Sequence, residues 1–123
     1  MEKENINIQS SQDFGNEKPE QNFGIGRSLY NNALNKLIEA NTLPANDKSG
    51  LGSRLNEESN AIMRQSIPYL QKAIKYYDSL NEKEKGANSM KLYQSLNTLS
   101  NVYIQLGMYE ELKPIKTRIE EYQ

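Results

Sequence analysis

The sequence predicts an all-α protein built from antiparallel helix hairpins. From Leu92 to Leu106, and again from Leu112 to Tyr122, apolar residues recur at three- and four-residue steps, which place them on one helix face. Only a short link containing Gly107 separates the two stretches, so the helices must fold back to cover each other's apolar faces. Residues 19–40 and 54–80 show the same spacing and predict two more helices.

Composition limits the class of function. The 123 residues correspond to one domain, and 15 Lys and Arg against 16 Asp and Glu leave a net charge of −1. We therefore expect no nucleic-acid partner, and because no apolar run approaches roughly 20 residues, no membrane insertion. Cys and His are absent, which removes the common metal ligands and most nucleophile–base pairs. We expect no enzyme activity, metal or cofactor.

The first residues are polar and lack periodicity. Residues 1–18 are predicted to be a disordered leader, and residues 19–123 the helical domain. The leader contains no apolar run typical of a signal peptide, so the default expectation is a cytoplasmic chain. An exported parent protein is also compatible with the sequence.

The first helix is predicted to begin at Pro19, because Pro in the first turn lacks an N–H that would be unbonded there anyway. Gly24 and Gly26 each cost about 1 kcal/mol relative to Ala inside a helix. We therefore expect close packing against a neighbouring helix to account for both. Residues 41–53 are rich in Pro, Gly, Asn and Ser and predict a long loop.

The second helix, residues 54–80, contains Pro68, which removes a backbone hydrogen bond. We expect a kink near residues 63–66 or a break into two helices there. Residues 81–89 are charged and polar, which indicates a connector. The domain thus divides into an irregular first helix pair, residues 19–82, and a second hairpin, residues 86–122.

The second hairpin resembles the tetratricopeptide repeat (TPR). The positions that carry the resemblance are Leu99, Tyr103, Gly107 and Tyr109, with Leu70 and Ala73 in the second helix and Asn22-Phe23-Gly24 in the first. Leu112 and Lys116 depart from the residues usual in the repeat, and the spacing between pairs exceeds about 34 residues. Over roughly residues 20–122 the chain is similar to the C-terminal part of irregular TPR proteins of Bacteroidetes. The resemblance implies a right-handed α-solenoid fragment of about four helices, and a non-enzymatic scaffold that binds a protein or peptide.

Carboxamides off the apolar stripes are the candidate binding residues. In TPR arrays the first helix of each pair lines a groove, and carboxamides there can donate to and accept from a peptide backbone. A solvated helix face is the alternative, although Asn is a poor helix former and gains nothing there over Glu or Lys. The candidate residues are Ser28, Asn31 and Asn35 in the first helix and Gln94, Asn97, Asn101 and Gln105 in the third.

Two other interpretations remain open. In the first, the chain is a structural part of a larger assembly without a separable ligand. In the second, it is a small hydrolase that uses carboxylates such as Glu57, Glu58, Asp78 and Glu82. The tyrosines do not favour a stacking surface, because those on the apolar stripes, Tyr30, Tyr77, Tyr103 and Tyr122, suit the edge of a core.

The two ends of the helical domain differ in apolar character. The last helix is polar on the side opposite Leu112, Ile115 and Ile119, as in a terminal cap. The first helix carries Ile25, Leu29 and Ile38 beside its main stripe, so its outer face is expected to stay partly exposed. The chain is therefore predicted to be either the C-terminal piece of a longer repeat protein or a weak homodimer through its first helix.

Overall fold

The computed structural model describes residues 18–122, and this part of the chain is all-helical. Its five helices are α1 (Pro19–Asn41), α2 (Leu51–Asp78), α3 (Glu82–Ala87), α4 (Ser89–Leu106) and α5 (Tyr109–Glu120). The all-α prediction is confirmed for these residues, although with one helix more than expected. The predicted leader lies outside the described residues except for Lys18.

Helix α1 begins where the sequence predicts. Pro19 occupies its first turn, and the backbone N–H of Lys18 donates to Oε1 of Gln21 at 3.1 Å. The side chain of Gln21 therefore satisfies a backbone donor just ahead of the helix, while Pro19 removes another.

Helix α2 begins earlier than predicted, so the predicted 41–53 loop is too long. Gly50 has a φ of 83°, a left-handed conformation that Gly adopts at little cost, and it ends the loop. The backbone N–H of Leu51 donates to Oγ of Ser49 at 3.1 Å. Gly52 and Ser53 consequently belong to the helix. The loop prediction therefore holds only as far as Gly50, which has a positive φ, whereas Gly52 does not.

Helix α2 continues through Pro68 without a break, which rules out the predicted division into two helices. Pro68 and Arg64 are both exposed, so the carbonyl that loses its helical partner lies on the solvent side. Water can satisfy that carbonyl, and the apolar side of the helix stays continuous.

The segment predicted to be a connector contains the short helix α3. Oδ1 of Asn81 accepts a hydrogen bond from the backbone N–H of Glu84 at 2.9 Å, a standard N-cap contact. No residue of α3 is buried. A helix without buried residues needs no apolar periodicity, and the sequence of α3 shows none. Asn81, a residue typical of an N-cap, is the one local signal in the sequence that predicts α3.

Helices α4 and α5 form the hairpin that the sequence predicts. Gly107 has a φ of 74°, and its N–H donates to the carbonyl of Ile104 at 3.1 Å. The N–H of Met108 donates to the carbonyl of Tyr103 at 2.8 Å. These two bonds form a Schellman motif, which closes α4 and turns the chain at once into α5.

The four long helices alternate in direction. Lys36 pairs with Glu58 at 3.1 Å, and Oγ of Ser59 donates to the carbonyl of Ala33 at 2.9 Å, so α1 and α2 run antiparallel. Helix α4 packs on α2, α5 and part of α1, and α5 packs on α4. The buried core is shared chiefly by α2 and α4, through Met63, Leu70, Ala73, Ile74 and Tyr77 and through Leu92, Leu96, Leu99, Val102 and Tyr103.

The prediction that close packing explains both glycines of α1 holds for Gly26 and is wrong for Gly24. Gly26 is buried where α1 crosses Leu70, whereas no atom of another element lies within 4 Å of a Cβ placed at Gly24. The glycine matched by the TPR resemblance is Gly24, whereas the glycine that the neighbouring helix requires is Gly26, two residues later.

The outer sides of the first and last helices only partly match expectation. Leu29, expected on the exposed face of α1, is only 7% exposed, whereas Ile38 is 59% exposed. Tyr122, expected on the apolar stripe of α5, lies beyond the helix end and is 43% exposed. Leu112, Ile115 and Ile119 pack against the core, and the opposite side of α5 is polar, as predicted for a cap.

Candidate functional site

The predicted binding residues lie on the outward sides of α1 and α4. Ser28, Asn31 and Asn35 are exposed on α1, as are Asn97 and Gln105 on α4, while Gln94 and Asn101 are half-buried. We call these seven residues, which are six carboxamides and the hydroxyl of Ser28, the carboxamide face. At about 100° per residue they lie opposite the buried stripes of their helices, which include Ala33 on α1 and Leu99 on α4.

The two helices repeat the same pattern in the same register. Positions 28, 31, 35 and 38 of α1 correspond to positions 94, 97, 101 and 104 of α4, each 66 residues later. Asn31 thus matches Asn97, Asn35 matches Asn101, and the next matched position in both helices is an exposed isoleucine, Ile38 at 59% and Ile104 at 49%. The buried positions also match, since Ala33 corresponds to Leu99. Sequence reasoning found the carboxamides and placed Ile38 on a partly exposed face, but it missed Ile104.

The polar groups of the carboxamide face are unpaired within the described part of the chain. Within residues 18–122, none of the seven forms a side-chain hydrogen bond, either along its helix or between α1 and α4. Helix α1 packs on α4, but no polar contact between their side chains joins the two halves of the face. The donors and acceptors of both halves are therefore available to another molecule.

Helix α4 has an unusually low charge for this chain. Lys91 is the one charged residue among its 18, whereas charged residues make up 25% of the whole sequence. Its exposed strip is consequently formed by carboxamides together with Met90 and Ile104, which are 63% and 49% exposed. Such a strip can offer hydrogen bonds and apolar contacts, but not salt bridges, to a binding partner.

The carboxylates considered for a hydrolase do not converge. Glu57, Glu58, Asp78 and Glu82 are all exposed. Glu58 pairs with Lys36, and Asp78 pairs with Arg118. Within residues 18–122 no group of three or more acidic side chains could hold a metal ion. Among the helices of the same residues, none is long and apolar enough to cross a membrane.

A cleft between α2, α4 and α5 was missed by sequence reasoning. Its volume is about 420 Å³, within the range of about 300–1,000 Å³ common for ligand pockets. Leu99, Tyr103 and Ile74, all buried, form its floor, and Ile115 of α5 lines one wall. We call it the α2/α4/α5 cleft. It depends on the spacing between three helices, which no local pattern in the sequence reports.

Polar groups define the rim of this cleft. Nε2 of Gln71 donates to the hydroxyl of Tyr103 at 3.1 Å. Burial raises the pKa of Tyr103, the bond from Gln71 lowers it, and the negative charge of Glu111 raises it further. Arg118 forms two hydrogen bonds of 2.9 Å with Asp78, and these bonds raise the pKa of Arg118. The ion pair ties the end of α5 to the end of α2 beside the cleft.

Comparisons with known proteins add no relative. No protein-family model, no curated protein sequence and no solved structure matches this chain.

Proposed function

We propose that this chain is a non-enzymatic TPR-like module that binds a protein or peptide through the carboxamide face. The observation that carries the proposal is the matched pattern of α1 and α4, in which Asn31 and Asn35 correspond to Asn97 and Asn101 in the same helical register. A face that only contacts solvent does not need the same polar residues at matching positions of two helices. Two helices that bind one ligand through equivalent positions do need them.

The topology supports the proposal. Helices α1 and α4 run in the same direction, because each is antiparallel to α2, and they pack on each other. For α4, Tyr103 near its end contacts Gln71 of α2, whereas its start lies beside the end of α5, where Arg118 binds Asp78 at the end of α2. Each is also followed by an antiparallel partner, which is the order of first and second helices in TPR pairs. The offset of 66 residues is nearly twice the usual period of about 34, since α1 and α2 are 23 and 28 residues long.

The chemistry of the face suits polypeptide. A carboxamide offers both a donor and an acceptor, as does the backbone of an extended peptide, and exposed Ile38 and Ile104 can take apolar side chains. Asn at four central positions lowers helix propensity relative to Lys or Glu, a cost that recognition of a ligand explains.

The test is quantitative affinity purification with the wild-type chain and two double variants. Asn97→Ala with Asn101→Ala alters the carboxamide face. Asn56→Ala with Gln65→Ala removes two exposed carboxamides of α2 and is the matched control. We expect a specific partner that the first double variant loses and the control retains, followed by the same order of affinities with purified partner. Equal retention by both double variants contradicts the proposal.

A further inference from the structure

The α2/α4/α5 cleft is a separate surface from the carboxamide face. The two share no residue, and Leu99 and Tyr103 of the cleft lie on the side of α4 opposite Asn97 and Asn101. We propose that this cleft is a second binding site, which takes a large apolar side chain of a partner polypeptide flanked by one acidic and one basic residue.

The floor of the cleft accounts for the apolar part of this occupant. Ile74, Leu99 and Ile115 present aliphatic carbon, and the ring of Tyr103 lies among them with its hydroxyl held by Gln71. An aliphatic or aromatic side chain that enters the cleft is removed from water, a gain of roughly 25 cal/mol per Å² of apolar surface covered.

The rim accounts for the two charges. Lys75 of α2 and Glu111 of α5 both line the cleft and are exposed, and neither forms an ion pair within residues 18–122. They do not pair with each other, although their charges are opposite and both side chains line the same cleft. Asp78, the other acidic group at the rim, is already bound by both terminal nitrogens of Arg118. An acidic residue of the partner therefore fits Lys75, and a basic residue fits Glu111.

The open shape favours a polypeptide over a free small molecule. Gln71, Lys75, Glu111 and Pro114 at the cleft are all exposed. An occupant is therefore covered on one side only, whereas drug-sized ligands are usually buried over about 70–90% of their surface. A side chain anchored on another chain needs no such enclosure, because its backbone and neighbouring residues add contacts at the rim.

The test is a titration of the full chain, with isotope-labelled Ile and Leu methyl groups, followed by nuclear magnetic resonance. The probes are two acetylated and amidated pentapeptides, Glu-Ala-Leu-Ala-Lys and Lys-Ala-Leu-Ala-Glu, because the cleft does not determine chain direction. We expect shifts at the methyl groups of Ile74, Leu99 and Ile115 with at least one probe. Replacing the central Leu of that probe with Ser is expected to abolish them.

Charge variants distinguish specific peptide binding in the cleft from nonspecific binding elsewhere on the surface. Lys75→Gln and Glu111→Gln are each expected to weaken binding of that probe about two- to fivefold, as for the loss of one exposed ion pair. The matched controls, Lys116→Gln and Glu120→Gln, lie on α5 outside the cleft and are expected to bind as wild type. Absence of shifts at the three residues with both probes, shifts that survive the Leu-to-Ser change, or equal weakening by the control variants overturns the proposal.

Discussion

A Cβ atom at Gly26 would lie 2.8 Å from both Cγ and Cδ2 of Leu70, a distance that Cβ atoms essentially never show. Leu70 is fully buried, so its side chain can move only by displacing neighbouring core residues. We predict that Gly26→Ala destabilises the protein. Overpacking costs about 1–3 kcal/mol, and the better helix propensity of Ala returns about 1 kcal/mol of that.

Gly24 provides the control for this prediction within the same helix. Its Cβ position is free of neighbours, so Gly24→Ala gains helix propensity without a clash and is expected to stabilise by about 0.5–1 kcal/mol. Urea denaturation of both variants measures the difference. Equal effects of the two substitutions would show that α1 and α2 do not approach as closely as the structure indicates.

The inner and outer sides of α4 are predicted to differ strongly in their contribution to stability. Leu99 is 1% exposed in the core, so Leu99→Ala is expected to cost about 2–5 kcal/mol. Asn101 forms no side-chain hydrogen bond within the described residues, and Asn101→Ala is expected to cost less than about 1 kcal/mol. Chemical denaturation compares them, and equal losses of stability would contradict the assignment of the carboxamide face.

The parts of the fold that could be predicted from sequence are those where apolar periodicity and turn residues agree. The α4–α5 hairpin could be predicted because its apolar spacing and its turn residue, Gly107, point to the same structure. Helix α3 could not be predicted from periodicity, because a six-residue helix without a buried residue has none. The start of α2 was misplaced because Gly50 and Gly52 give the same loop signal, although only Gly50 has a positive φ.

The candidate site could be predicted only in part, for a related reason. Periodicity assigned Asn97 and Asn101 to the outward side of α4, since a helix with a known buried stripe has a known opposite side. It did not distinguish buried Leu29 from exposed Ile38, because the depth of a residue beside the stripe depends on how far the neighbouring elements extend. The α2/α4/α5 cleft likewise arises from tertiary spacing.

The Asp78–Arg118 pair is predicted to contribute modestly to the attachment of α5. Its side chains are 40% and 34% exposed, so solvent screens the pair, and Asp78→Asn is expected to cost about 0.2–1 kcal/mol. The cost should shrink as salt is raised, because ions screen charges that are partly exposed. Lys113→Gln breaks the more exposed pair with Glu110 and is the control, with a smaller expected effect in the same melts. A cost for Asp78→Asn that does not change with salt would argue against an electrostatic origin.

Alkaline pH is predicted to destabilise the fold through Tyr77 and Tyr103. Burial raises the pKa of both hydroxyls above the ordinary value of 10.0. Their contribution to stability is therefore complete below pH 10.0, where the unfolded state is also protonated, and is lost as pH rises through the folded-state pKa. Denaturation at a series of pH values is expected to show a smaller alkaline loss for Tyr77→Phe and Tyr103→Phe than for wild type.

The same two variants are predicted to differ at neutral pH. Within residues 18–122 the buried hydroxyl of Tyr77 has no hydrogen-bond partner, so Tyr77→Phe is expected to be neutral or slightly stabilising. Tyr103→Phe removes the bond from Gln71 and is expected to cost about 0.5–1.5 kcal/mol. Tyr109→Phe, at a residue 60% exposed, is the control and is expected to be as stable as wild type at neutral pH.

A weak homodimer through α1 remains a prediction, and the structure indicates which residue tests it. Leu29 is 7% exposed, so Leu29→Glu places a carboxylate in an apolar environment and is expected to cost more than about 2 kcal/mol by unfolding the monomer. Loss of a dimer in that variant would not distinguish dissociation from unfolding. Ile38 is 59% exposed, and Ile38→Glu is expected to change monomer stability by at most about 0.5 kcal/mol.

Ile38→Glu therefore isolates association from folding. If α1 mediates a dimer, sedimentation velocity over a wide concentration range is expected to show a larger species in wild type that Ile38→Glu weakens, while both chains unfold at the same denaturant concentration. The matched change on α4, Ile104→Glu, alters an isoleucine of similar exposure and should leave that species intact. A wild-type chain that stays monomeric at every concentration rules out a dimer through the exposed side of α1.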